Sequence, residues 1–181
     1  MPVGTSAVAT TARASTPATT TRQATRSTSV RPETGGALPG DLTPNVVEDE
    51  CLLTGIEFGA LAGLSAVRAE NTELAGAGGR RSCFYLPSGT DDPAARIDVY
   101  ASASLPPPEL VARIAANGGR ALAAVGQGAA LVSTPNGGFE LAVASATLLA
   151  VLTVLPGGAV APPADEAWTA AGAAMAARLT R

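Results

Sequence analysis

Cys51 and Cys83 are the residues whose type and spacing could do chemistry. A CxxC metal or redox pair is excluded by the spacing. The chain has no His, and two thiols alone do not close a zinc site. Two readings of the pair remain: buried free thiols in a reduced core, or a disulfide in an oxidising compartment. A bridge would close a loop of about 33 residues and contribute roughly 3–4 kcal/mol in the chain-entropy picture.

Other reactive constellations are excluded by residue type. Without His there is no Ser-His-Asp or Cys-His arrangement. All 12 basic residues are Arg, so there is no Schiff-base lysine, Walker lysine or Ser-Lys dyad. Gly76–Gly79 and Gly126–Gly128 lack the strand-to-helix setting of a nucleotide site and read as turns. Asp91-Asp92 has the oxygen chemistry of a hard-cation ligand, but adjacent acids in a Pro/Gly turn are ordinarily solvated. Glu48, Asp49 and Glu50 fit the favourable acidic start of a helix. The expectation is a non-catalytic chain with no cofactor and no metal site, its ligand-binding residues unknown.

Positioning elements must come from an aliphatic chain. Of 181 residues, 46% are hydrophobic but only 3% aromatic. The net charge of −3 is divided unevenly. Residues 1–32 hold Arg13, Arg22, Arg26 and Arg31 and no acid, for +4; the remaining 15 acids and 8 Arg give −7. An acidic folded part argues against nucleic-acid binding, which draws its affinity from basic surface. Four dispersed Arg are too dilute for a polybasic membrane anchor.

Residues 1–43 read as a disordered Ala/Thr/Ser-rich linker, unable to bury enough surface to offset roughly 1–2 kcal/mol of backbone entropy per residue. Thr16–Thr21 is of the kind found in O-glycosylated stalks. The linker has no apolar signal-peptide core, and membrane contact is expected only through an N-terminal anchor outside this chain. Leu141–Ala164 is uncharged and long enough to span a bilayer. Its strongly apolar part stops at Leu155, however, before Pro156-Gly157-Gly158, and its Val and Thr content favours two buried strands turning near Ser145-Ala146.

Residues 44–181 read as one domain. Val46–Leu53 is expected to form a helical turn that presents Cys51 inward. Thr54-Gly55-Ile56-Glu57 matches a capping box, with a helix over 56–62. Strands are expected over 65–74, 81–86, 96–102, 129–133, 139–144 and 148–155. The alternating Arg96–Ser102 strand should be half exposed. Pro106-Pro107-Pro108 opens a helix over 109–116, and Pro135-Asn136-Gly137-Gly138 marks a hairpin. A last helix over 164–179 should bury Trp168, Ala171, Met175 and Leu179.

Several of these segments together resemble the actinobacterial lipoprotein family catalogued as domain of unknown function 3558. They are Cys51-Leu52-Leu53-Thr54, then Cys83-Phe84-Tyr85 (with Tyr85 where the family has Trp), then Gly126-Gln127-Gly128-Ala129, and the closing Arg178-Leu179. The resemblance spans roughly residues 44–181. It implies a Cys51–Cys83 bridge and a cell-surface setting, and carries no activity.

The fold class expected is α+β: a mainly antiparallel sheet of about five to six strands, helices packed on one face, one disulfide. The function expected is a non-catalytic extracytoplasmic, cell-envelope binding or sensor domain. Its partner would be an unknown envelope ligand or protein, met through the sheet face or a helix–sheet groove. The alternative is a structural or protein-interaction domain of the envelope with no small ligand.

Overall fold

The computed structural model describes residues 42–74 and 78–179. The expected linker, residues 1–43, lies outside these except for Leu42 and Thr43, and so do Gly76-Ala77 and Arg181. The elements run β1 (Leu42–Pro44), α1 (Gly55–Ala62), β2 (Val67–Leu74), β3 (Arg80–Pro87), β4 (Ala95–Ser102), α2 (Pro107–Ala116), β5 (Arg120–Ala121), β6 (Gly128–Ser133), β7 (Phe139–Ala144), β8 (Leu148–Val154) and α3 (Asp165–Leu179).

All strand pairs are antiparallel, in one sheet of order β2-β3-β4-β8-β7-β6-β5, with β1 alongside the end of β4. The sheet has eight strands rather than five to six. The extra two, β1 and β5, are three and two residues long, too short to show a period of two in sequence. The uncharged 141–164 stretch supplies β7 and β8, which turn through Ser145–Thr147. Among the described residues no helix is long and apolar enough to cross a membrane.

The register sorts residues onto two faces. On one, Ile97 and Val99 of β4, Leu152 and Ala150 of β8, and Leu141 and Val143 of β7 form the main core with Cys83 and Tyr85 of β3. Helices α1 and α3 close it with Phe58, Leu61, Trp168, Met175 and Leu179. Large rings do much of the filling: Phe58 stacks near Tyr85 at 4.6 Å and Phe139 near Trp168 at 5.5 Å between centroids. The one-face packing describes α1 and α3. Helix α2 lies on the reverse face, where Leu110 and Val111 meet Ala130, Ala142, Ala144, Leu149 and Val151. The sequence does not separate the faces, because β7 and β8 are apolar on both.

Helix boundaries follow local chemistry. The Thr54 hydroxyl accepts the Glu57 N–H at 3.2 Å and the Glu57 carboxylate accepts the Thr54 N–H at 2.7 Å, completing the capping box. Gly63, in the left-handed region at φ 73°, ends the helix. Helix α2 begins two residues before the expected 109, since Pro107 and Pro108 give up no helical hydrogen bond in the first turn.

Residues 46–53 are not helical, and this corrects the expected helical turn and the acidic helix start at Glu48–Glu50. Their polar groups are committed elsewhere. The Asp49 carboxylate takes the Cys51 N–H at 2.8 Å, a short-range bond that competes with a helix. The carbonyls of Val47, Glu48, Leu52 and Leu53 are held by side chains distant in sequence.

Helix α1 lies against β2 so closely that a methyl group built on Gly55 would overlap the Val67 carbonyl oxygen. Gly55→Ala should therefore destabilise the protein by about 1–3 kcal/mol through overpacking. The neighbouring Ile56 is 86% exposed, and Ile56→Ala should change stability by less than about 0.5 kcal/mol. Urea unfolding of both variants checks the contrast.

Candidate functional site

Cys51 and Cys83 are joined in a disulfide, with Cα atoms 4.9 Å apart. Cys83 comes from the buried face of β3. Cys51 comes from the irregular segment 45–54, which lies over that strand and carries Leu52 and Leu53 into the core.

Backbone buried without secondary structure must find partners among side chains. Asn45, at φ 61°, accepts the Arg81 N–H at 2.7 Å and donates to the Gly79 carbonyl at 3.0 Å. The Arg81 guanidinium donates to the carbonyls of Val47 and Glu48. Asn71 donates to Glu48 as well, at 3.2 Å. The Tyr85 hydroxyl accepts the Leu53 N–H at 3.2 Å and donates to the Leu53 carbonyl at 2.9 Å. Burial pushes this phenol well above its ordinary range. Glu50 is fully buried; its carboxylate has no hydrogen bond among the described residues, and Arg81 Nε at 3.8 Å is its counter-charge.

A second tie reaches from the chain's other end. Arg178, in the last turn of α3, donates to Glu57 through two nitrogens at 2.8 and 2.9 Å and to the Leu52 carbonyl at 2.7 Å. The hydrogen bond from Arg178 is the main reason the Glu57 carboxyl falls from 4.5 to about 2. The same pairing raises Arg178.

The reverse face of the sheet carries a different constellation. Helix α2 packs on β5, β6 and β7 and meets Leu149 and Val151 of β8, with Tyr100 of β4 against the same apolar cluster; Ser82, Arg80, Arg96 and Asp98 of β3 and β4 form a polar group beyond it. Asp98, only 3% exposed, accepts the Ser82 hydroxyl at 2.6 Å. Arg80 and Arg96 flank it at 3.3 and 3.1 Å. Across β8, Glu140 sits half-buried, and burial raises its carboxyl above the ordinary value. Burial likewise raises Tyr100, two residues along β4 from Asp98. Arg-x-Asp-x-Tyr at alternate positions thus places three polar groups on one face, as the strand's periodicity implied. That face is more buried than expected: Asp98 is almost fully enclosed, with both arginines within 3.3 Å of its carboxylate.

A surface cavity of about 300 Å³ opens between the start of α1 and β2, lined by Gly55, Ile56, Leu64, Val67, Arg68 and Ser88 among others. Ile56, one of its lining residues, and Val160 are the large apolar side chains most exposed to solvent, at 86% and 74%. Asp91 and Asp92 lie in an exposed turn, with Asp91 4.0 Å from Arg68. The burial of Asp98, the bonding of Tyr85 to Leu53 and the pairing of Arg178 with Glu57 go beyond what the sequence indicates. The signal for Asp98 was an acid between two apolar residues in a strand; nothing local points to a pair 121 residues apart.

No family model, curated protein or solved structure matches the chain.

Because the folded value of Glu57 lies below its ordinary 4.5, the pair stabilises the fold above about pH 4.5 and loses that contribution as pH falls towards about 2. Its side chain is 35% exposed, so solvent screening keeps the effect modest. The unfolding free-energy gap between wild type and Glu57→Gln should be full at pH 7 and shrink progressively below pH 4.5. Tyr85→Phe, which strands both polar groups of Leu53, should cost about 1–3 kcal/mol by chemical denaturation at pH 7.

Proposed function

We propose that this chain is a non-catalytic, lipoprotein-like binding or sensor domain of the cell envelope, using the polar half of the sheet's reverse face as its recognition surface. The observation that carries the reading is the cluster there: Asp98 buried between Arg80 and Arg96, with Glu140 across β8 from Arg96. Burying an ionised group costs several kcal/mol unless it is paired, and a strand that needed only to fold would do better with apolar residues. A few charged groups converging on a rigid sheet are what a specific site requires.

The bridge supports the compartment in this reading. Disulfides persist where the surroundings oxidise thiols, and Cys51–Cys83 pins the segment that supplies Leu52 and Leu53 to the core. This accords with the cell-surface setting that the family resemblance implies. The absence of His and Lys from the sequence removes the commonest catalytic bases and nucleophile partners.

A second reading, a protein-interaction domain of the envelope, is favoured by one observation. Ile56 and Val160 lie at the two ends of α1's outer side, Val160 against Gly63, and the intervening Ala60 is exposed too. Contiguous exposed apolar surface is a mark of protein contact sites.

Two measurements test these readings. Protein extracted from its native cells and treated with a thiol alkylator should carry no adduct at Cys51 or Cys83 until a reductant is added; full alkylation without reductant would remove the envelope setting. Isotope-labelled protein titrated with solubilised envelope fractions should show amide shifts on β3, β4, β7 and β8. Shifts confined to α1 and residues 159–163 would favour the interaction reading instead.

A further inference from the structure

One row of the polar face is chemically incomplete. Arg96 of β4, Thr153 of β8 and Glu140 of β7 are in-register neighbours. Strands lie about 4.8 Å apart, so the outer two backbones are roughly 10 Å apart with a short side chain between them. Arg96 turns its Nε towards Asp98 at 3.1 Å, and its terminal nitrogens make no hydrogen bond to a described residue. The Glu140 carboxylate likewise has neither hydrogen bond nor ion pair among the described residues, although Arg96 is near enough to act on it electrostatically. The Thr153 hydroxyl, between them, is partly exposed and also unengaged. The row thus presents a cation and a carboxylate that face the same gap without closing it.

Charge decides what fits. Asp98 neutralises only one of Arg80 and Arg96, leaving one positive charge on the β4 side and the Glu140 carboxylate on the β7 side. A lone anion would gain from Arg96 but meet Glu140. A lone cation would gain from Glu140 but meet Arg96 and Arg80. A ligand with both charges on one short chain is complementary at both ends, and the Thr153 hydroxyl can serve either.

We propose that Arg96, Thr153 and Glu140 form a recognition site for a small zwitterion, with its carboxylate on Arg96 and its ammonium on Glu140. This rests on the sheet face being the binding surface, and it names the ligand class.

The test is a titration of isotope-labelled protein with glycine, β-alanine, 4-aminobutyrate and 6-aminohexanoate, with acetate and ethylammonium as single-charge controls. One chain length should shift the amides of Arg96, Thr153 and Glu140 saturably, and Glu140→Gln should weaken it about tenfold or more, the loss expected for a charged hydrogen-bond partner. Arg96→Gln should do the same. Since Arg96→Gln also loosens Asp98, Thr153→Val, which keeps the strand's shape, supplies an independent variant with a smaller loss. The proposal is overturned if no zwitterion shifts these amides, if acetate alone binds as tightly, or if Glu140→Gln leaves the affinity unchanged. Envelope fractions shifting this face while every zwitterion is silent would overturn the ligand class and leave the binding-surface reading standing.

Discussion

Ten residues of this protein, Asn45 to Thr54, run along the core, seating Val46, Val47, Cys51, Leu52 and Leu53 on it, with no helix or strand to absorb their backbone polarity. A buried peptide group left without a partner costs as much as a lost hydrogen bond, so a segment like this exists only if side chains elsewhere are placed to serve it. Three elements do so. Strand β2 sends Asn71, β3 sends Arg81 and Tyr85, and α3 sends Arg178. The Cys51–Cys83 bridge fixes the segment's position relative to β3. Once fixed, Leu52 and Leu53 complete the core under α1, and Thr54 is delivered where it can cap that helix. The start of α1, the end of α3 and the edge of the sheet are therefore set by one segment that has no regular structure of its own.

Glu57 shows how few residues carry this coupling. Its position three residues after Thr54 makes it the reciprocal partner of the helix cap, a purely local role. Its other function is global, since the same carboxylate receives the fork of Arg178 from the end of the chain. Arg suits this task because its planar fork can hold a carboxylate and still reach the Leu52 carbonyl. Arg81 acts similarly at the other end of the segment, spending donors on Val47 and Glu48 and lending its charge to the buried Glu50. In a domain with so few aromatic residues, guanidinium groups take over part of the structural work.

What the sequence discloses depends on whether the signal is local. The capping box, the Gly63 stop, the Ser145 turn and the buried stripe of α3 are each decided within a few residues, and each is where periodicity and capping rules place it. The reading of residues 46–53 as helical failed for the converse reason. Apolar spacing and three acids look like a helix start, but the hydrogen bonds that decide the matter come from residues 23 to 126 positions away. The polar face was half legible. Alternation in β4 put Arg96, Asp98 and Tyr100 together, whereas their burial depends on β3 and β8 lying on either side.

The two faces of the sheet solve different problems. On the α1–α3 face, rings and branched aliphatics fill space, and the polar groups that enter it, such as the Tyr85 hydroxyl, serve the backbone of the pinned segment. On the other face, α2 covers β5 to β7 and the Leu149–Val151 part of β8, and small residues there (Ala130, Ala142 and Ala144) let it approach closely. The same strands then run out from under α2 into a row where polarity rises, from Ala142 to Glu140 on β7 and from Val151 to the near-isosteric Thr153 on β8. A change from alanine to a half-buried carboxylate two residues further along a strand gains nothing for packing and carries a desolvation cost. Folding alone gives no reason to keep an unpaired acid there, and an arginine two strands away with donors to spare gives no reason either. Both become intelligible if the missing partner of each is a molecule that arrives from outside.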